Sequence, residues 1–153
     1  MIRICRTNSD DKNFHILIKE LDADLHKRNG DDQFQYDLYN KIESLPTVVI
    51  AFDDNKPIGC ACFKKFDISS VELKRMYLHS DYRGNGIAGL ILSELEKWAV
   101  ETGACKIVLE TGLKQPEAIR FYTKNEYVQI PNYGQCVDNT NSICMEKIIF
   151  YKS

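Results

Sequence analysis

The segment Leu78-His79-Ser80-Asp81-Tyr82-Arg83-Gly84-Asn85-Gly86-Ile87-Ala88 constrains this chain more than any other. An apolar, alternating run from Val71 to Leu78 feeds into it and reads as a strand. A long amphipathic pattern, Asn85 to Thr102, leaves it. There Ala88, Ile91, Leu92, Leu95, Trp98 and Ala99 make one stripe at helical spacing, with Glu94, Glu96, Lys97 and Glu101 mostly off it. Gly103 is a natural stop. A strand that turns through glycines directly into a helix presents unpaired backbone N–H groups at the positive end of the helix dipole. Gly84 and Gly86 allow a ligand to approach the backbone closely. Arg83 adds a fork of donors suited to phosphate oxygens. The segment therefore predicts an anion site, most naturally for a pyrophosphate.

Two common phosphate loops do not fit. A P-loop needs G-x-x-x-x-G-K-[ST], and the Lys and Ser/Thr are absent. Gly84, Gly86 and Gly89 satisfy the G-x-G-x-x-G spacing of a dinucleotide fold. That fold needs the glycines after the first strand of a parallel unit, with an acidic residue on the next strand. Here the preceding strands read as hairpins, and no acidic residue follows in the right place.

The rest of the chain supports one mixed α/β (α+β) domain over residues 1–153. No linker, repeat or low-complexity block divides it. Ile2 to Arg6 reads as a first strand. Ser9 is placed to cap a helix carrying Phe14, Leu17, Ile18, Leu21 and Leu25, broken by Asn29-Gly30. A second short helix carries Phe34, Leu38 and Ile42 and ends by Pro46. Thr47 to Asp53, Pro57 to Phe66 and Val71 to Leu78 read as an antiparallel meander, turned at Asp53-Asp54-Asn55-Lys56 and near Ile68-Ser69-Ser70. After the long helix come a buried strand, Lys106 to Glu110, and a helix opened by Gln115-Pro116, with Pro at a tolerated first-turn position. Two last strands lie at Tyr127 to Ile130 and Ser142 to Tyr151.

Composition narrows the class of function. A chain of 153 residues with 44% hydrophobic and 27% charged residues can bury a core. A net charge of −2 gives no general reason to expect nucleic acid as a partner. No apolar run is long enough for a membrane helix, and Met1 to Arg6 is too short and charged for a signal peptide, so a cytoplasmic protein is expected. Six cysteines are present. Cys5, Cys60, Cys62, Cys105 and Cys144 lie in or beside strand-like runs, and they read as reduced thiols acting as small hydrophobes. Cys136, in a polar loop, is expected to be the most exposed. The cysteines with His15, His26 and His79 have no zinc-type spacing, and no metal is expected.

The glycine segment resembles the acetyl-CoA motif of the GNAT superfamily of N-acetyltransferases, Q/R-x-x-G-x-G/A, at Arg83, Gly86 and Ala88. It lies between a strand and a long helix, as that superfamily has it. A second signature follows at Gln115-Pro116-Glu117-Ala118-Ile119-Arg120-Phe121-Tyr122, similar to Asn-x-x-Ala-x-x-x-Tyr, then Thr123-Lys124-Asn125-Glu126-Tyr127. Two positions depart from the pattern: Gln115 stands where Asn is usual, and Glu126 where Gly is usual. The resemblance implies a mixed central sheet of about seven strands with about four flanking helices. It also implies a splay between the strands 71–78 and 106–110 that admits acetyl-CoA as co-substrate.

The same resemblance implies roles. The backbone of Met76, Tyr77 and Leu78 would pair with the pantetheine arm. The amides of Arg83, Gly84, Asn85, Gly86, Ile87 and Ala88 would hold the pyrophosphate, with Gln115, Ala118 and Tyr122 along the rest of the cofactor. Tyr122 would be the general acid that protonates the departing CoA thiolate. Glu72, six residues before Leu78, stands where histone-type members place their basic glutamate, and Glu110 at the end of the neighbouring strand is the second candidate. A base is needed because an amine with pKa ~10.4 is almost wholly protonated at neutral pH, and its deprotonation costs about 4–5 kcal/mol.

The acceptor pocket is expected from the two-helix region and the late loop. Asp22, Asp24, Asp31, Asp32 and Asp37 make the first of these acidic, which favours a cationic amine. Tyr36, Tyr39 and Tyr133 are aromatic candidates for its lining, and Pro131-Asn132-Tyr133-Gly134 for its cover. The leading expectation is an acyltransferase that moves acetyl to a primary amine of a small or amino-acid-like molecule by direct attack. A protein-lysine acetyltransferase and a non-catalytic acyl-CoA sensor are the alternatives, with an unrelated nucleotide binder behind them. A small-molecule amine is the expected partner, and a homodimer is compatible with all of this.

Overall fold

The meander expected from residue 47 to residue 78 forms the centre of a seven-stranded sheet. The computed structural model describes residues 1–29, 44–134, 137–138 and 140–149. The strands are β1 (Ile2–Thr7), β2 (Val48–Asp53), β3 (Lys56–Lys65), β4 (Ser70–Leu78), β5 (Lys106–Gly112), β6 (Val128–Ile130) and β7 (Ser142–Ile148). The described helices are α1 (Lys12–Asn29), α2 (Ile87–Glu101) and α3 (Pro116–Lys124), with a short 3-10 turn at Ser80–Tyr82. The strand order is β1-β2-β3-β4-β5-β7-β6, and the pairing is antiparallel throughout except between β4 and β5. About four helices are expected from the sequence. The fourth, around Phe34 to Ile42, lies outside the described residues, as do Gly30, Asp31, Asp32, Tyr36, Asp37, Tyr39 and Cys136.

A helix layer covers each face of the sheet. On one face Phe14, Leu17, Ile18 and Leu21 of α1 pack on Val48, Ile50, Phe52, Cys60 and Cys62. On the other, Ile91, Leu92, Leu95 and Ala99 of α2 pack on Val49, Ala51, Ala61, Phe63 and Leu109. β2 sends alternate side chains into both cores, which is why it reads as a continuous apolar run. A Cβ at Gly59 would meet the Tyr77 carbonyl oxygen at 2.8 Å and Ile91 Cδ1 at 2.9 Å, so glycine there lets β3, β4 and α2 close up.

The start of α1 differs from the expectation. Ser9 does not cap it; its hydroxyl accepts from the Leu45 amide at 2.7 Å. The helix begins two residues later, where Asp11 Oδ1 accepts the Asn13 N–H at 2.8 Å. A backbone amide 36 residues away competed for the Ser9 oxygen, and Asp11 stood ready as a second cap. Cys5, Cys60, Cys62, Cys105 and Cys144 are unbridged.

β4 carries the irregularity that matters for function. Cys60 pairs with Tyr77 while Cys62 pairs with Lys74, so β4 holds one more residue than β3 across this stretch. The bulge falls at Arg75, whose φ is +59°. It inverts the alternation: Val71 and Leu73 face the α2 core, yet Tyr77 faces α1. The strand bends as a bulged strand does, and its pairing with β5 stops after Ser70↔Lys106, Val71↔Ile107 and Glu72↔Val108. From Leu73 onward β4 and β5 part.

Candidate active site

The parting of β4 from β5 opens a cleft of ≈ 580 Å³, within the range of ligand pockets. Its floor is the freed edge of β4. Met76, Tyr77 and Leu78 line it, but Tyr77 and Leu78 bury their side chains, so this stretch offers mainly backbone. The Tyr77 phenol donates to Glu20 of α1 at 3.1 Å. Burial, then the Glu20 charge, pushes that phenol up.

At one end lies the glycine turn. Gly84 and Gly86 have φ of +88° and +80°, a backbone that favours glycine. An added Cβ at either would meet nothing within 4 Å, so both face open space. Gly86 is the N-cap of α2 and no side chain caps that end. The first-turn amides of α2 lack intrahelical partners by geometry. Arg83 stands beside them, with Nε donating to the Leu78 carbonyl at 2.9 Å and Nη2 3.8 Å from Asp24 of α1. Ala88 lines the cleft, whereas Ile87 buries its side chain in the α2 core; Ile87 can serve only through its amide. The Asn85 side chain is likewise not part of the lining.

The far wall is α3, which contributes Gln115, Ala118 and Tyr122. Gln115 is the N-cap position, but its side chain caps nothing. Tyr122 is 4% exposed, and burial alone pushes its phenol up, so it is protonated throughout the neutral range. Glu126, where the motif has Gly, adopts the glycine-like conformation itself, with φ of +75°. A side chain in that left-handed conformation costs conformational energy that glycine would not.

Glu72 and Glu110 both line the cleft where the strands separate. They share one sheet face, because Glu72 pairs with Val108, two residues before Glu110. Each carboxylate is held by a hydroxyl from the last third of the chain. Tyr133 donates to Glu72 Oε2 at 2.9 Å, and Ser142 donates to Glu110 Oε2 through a short bond. Lys74 Nζ lies 4.0 Å from Glu72 Oε1. Cys144, paired with Glu110 across β5 and β7, is buried, and its thiol is pushed up; it is not poised as a thiolate.

The structure thus brings Glu72, Glu110, Tyr122 and most of the expected cofactor residues to one cleft. Asp24 of α1, expected near the acceptor, lines the cleft, whereas its apolar neighbours there, Leu21 and Leu25, and the hydroxyls of Tyr133 and Ser142 on the two glutamates were not anticipated. Asp22 pairs at 3.1 Å with Arg75, which lines the cleft. Among the described residues no cluster of three or more His, Cys, Asp or Glu could hold a metal, and no helix is long and apolar enough to cross a membrane.

Residues 13–127 match the Acetyltransferase (GNAT) family. An uncharacterised N-acetyltransferase of Bacillus subtilis, YjcF, is 28% identical over 88 residues, 58% of this chain and 60% of that protein. The match thus spans less than two thirds of that relative's length. A Klebsiella pneumoniae protein assigned as an acyl-CoA N-acyltransferase superposes with a TM-score of 0.82 at 26% identity, covering 98% of this chain and 99% of the other. A GNAT family acetyltransferase from Elizabethkingia anophelis, solved with acetyl-CoA bound, superposes with a TM-score of 0.67 at 17% identity, covering 96% and 97%. With the family match running through the bulged strand, the glycine turn and α3, this chain belongs to the GNAT acetyltransferase family.

Proposed function

We propose that the protein is an acetyl-CoA-dependent N-acetyltransferase that acetylates a primary amine of a small or amino-acid-like molecule by direct attack. The observation that carries this reading is the early end of the β4–β5 ladder at Glu72, beside a glycine turn and opposite Tyr122. A slot of that shape, with backbone on one side and unpaired amides at its end, suits a long thin cofactor with a pyrophosphate. The acetyl-CoA bound to the Elizabethkingia anophelis fold neighbour supports the same choice of co-substrate.

Bound acetyl-CoA would supply an acetyl group activated as a thioester. The amides of Arg83 to Ala88 hold the pyrophosphate, and Arg83 exchanges its contact with Asp24 for phosphate oxygens. Met76 to Leu78 pair their backbone with the pantetheine arm, while Gln115 and Ala118 flank it. Glu72 takes a proton from the acceptor ammonium, a step worth about 10²–10⁴ in rate for a positioned base. The amine nitrogen would then bond to the acetyl carbon as the carbon–sulfur bond breaks; Tyr122 would give its phenolic proton to the departing sulfur, and the second proton shed by the acetylated nitrogen would restore the phenol, directly or through water. Glu110 is the second candidate base.

The test is thiol release from acetyl-CoA against free amines, amino acids, polyamines and lysine peptides. Turnover of free amines supports the proposal. Turnover of peptides alone makes the protein a protein-lysine acetyltransferase. Silence across the panel, with CoA shown to bind, overturns catalysis in favour of a sensor.

A further inference from the structure

Glu72 is gripped from behind the cleft. Its side chain is only 14% exposed. The residue that grips it, Tyr133, lies 61 positions along the chain, in the connection between β6 and β7. The Tyr133 ring packs edge-on against Phe66, from the β3–β4 turn, with centroids 4.9 Å apart. Asn132, next to it, donates from Nδ2 to the Ser142 carbonyl at 3.1 Å and ties the connection to the start of β7. Burial, then the Glu72 charge, pushes the Tyr133 phenol up, so it remains a proton donor across the neutral range.

Three elements therefore fix one hydroxyl on one carboxylate oxygen. A glutamate side chain left to itself spreads over several rotamers. With Oε2 tied to Tyr133, the remaining oxygen, Oε1, is held on the Lys74 side of the cleft. A base that must meet an amine within hydrogen-bond reach gains directly from being held in one place.

We infer that Tyr133 is a positioning residue for acetyl transfer, holding Glu72 through Oε2 so that Oε1 faces the acceptor amine. This rests on the reading of Glu72 as the base. A tyrosine buried only for packing would give the same contact without the same kinetics, and the two can be separated.

The experiment is a double-mutant cycle in kcat, using acetyl-CoA and the fastest amine of the panel above. The variants are Tyr133→Phe, Glu72→Gln and the pair. Phenylalanine keeps the ring against Phe66 and removes only the donor. The expected result is a loss of about 10- to 100-fold in kcat for Tyr133→Phe, typical of a hydrogen bond to a charged group. KM for acetyl-CoA stays within about twofold. Added to Glu72→Gln, the second substitution costs nothing further, because nothing remains to be positioned.

Full activity in Tyr133→Phe with a crippled Glu72→Gln overturns the inference and leaves the base reading standing. A Tyr133→Phe loss repeated in full on the Glu72→Gln background also overturns it, since Tyr133 then acts independently of Glu72. Full activity in Glu72→Gln, or no amine turning over, sinks the base reading and this inference with it. Should Tyr133→Phe fold poorly, Phe66→Leu replaces it, loosening the ring while keeping the hydroxyl. A partial kcat loss that vanishes on the Glu72→Gln background supports the inference, and unchanged kcat overturns it.

Discussion

Tyr122 and Tyr127 pack ring against ring, 5.5 Å between centroids, across the turn that ends α3. The turn is built to bring them together. The Tyr127 amide bonds back to the Tyr122 carbonyl and the Glu126 amide to the Thr123 carbonyl, the two bonds of a Schellman motif. Tyr127 in turn donates from its hydroxyl to Glu96 of α2 at 2.9 Å, and Glu96 also receives Lys147 of β7. The candidate acid therefore stands on a helix end braced against both α2 and β7.

Removing only the Tyr122 hydroxyl should expose its role. Tyr122→Phe keeps the ring contacts and is expected to lower kcat by about 10²-fold or more, the low end for a general acid. CoA affinity, read by titration calorimetry, should not change. Unchanged kcat would remove Tyr122 from the mechanism.

The strained residue in that turn can be relieved. Glu126→Gly replaces a left-handed side-chain residue with the residue that tolerates the conformation. Relief of about 1–2 kcal/mol is partly offset by the freedom glycine gains in the unfolded chain, for a net gain of roughly 0.5–1 kcal/mol. That should raise Tm by about 1–4 °C with kcat unaltered. A lower Tm would mean that the Glu126 side chain contributes something its backbone does not reveal.

Glu72→Gln is expected to lower kcat/KM by about 10²–10⁴, with the largest loss at low pH, where the amine is hardest to deprotonate. A uniform loss at every pH would point to positioning rather than proton transfer. A larger loss in Glu110→Gln than in Glu72→Gln would exchange the roles of the two carboxylates.

Gly86→Val should abolish CoA binding, with at least about a 100-fold rise in Kd, since a side chain there would occupy the space a pyrophosphate needs. No protein atom stands within 4 Å of the added Cβ, so the change in stability should reflect only its φ of +80°. Retained affinity would mean the anion site lies elsewhere.

The tyrosines also set a pH limit on stability. Tyr77, Tyr122, Tyr127 and Tyr133 all have phenols pushed above the usual value, chiefly by burial. Below about pH 10 the phenols are protonated in both the folded and unfolded chain, and their stabilisation is fully present. Above it the unfolded chain releases protons that the folded chain keeps, so stability falls by up to about 1.4 kcal/mol per pH unit for each phenol. The buried thiols of Cys60 and Cys144, also pushed up, add a loss of the same sign from about pH 9. Urea midpoints taken between about pH 8 and pH 11 should therefore drop steeply at the alkaline end. A flat profile would contradict the burial of these groups.

Much of the fold was legible because its signals are local. The stripe from Ala88 to Ala99, the apolar run Val48 to Phe52 and the stop at Gly103 each follow from neighbours in the chain. The expectation for Ser9 failed because its partner, Leu45, is distant and no periodicity announces it. The bulge at Arg75 was hidden for a related reason: Leu73, Lys74, Arg75 and Met76 read as ordinary strand, and only pairing with β3 shows the extra residue. In the site, Arg83, Gly86, Ala88 and Tyr122 are visible as a motif. The hold of Tyr133 on Glu72 is not, since two residues 61 apart carry no shared spacing.

The central claim is that the gap between β4 and β5 is the acetyl-CoA slot, and hydrogen exchange with and without CoA tests it most directly. Slowed exchange of amides in Met76–Leu78 and in 84–89, with the β1–β2 edge unchanged, is the predicted result. CoA that binds while those amides exchange as before, or that protects another surface instead, would contradict the account.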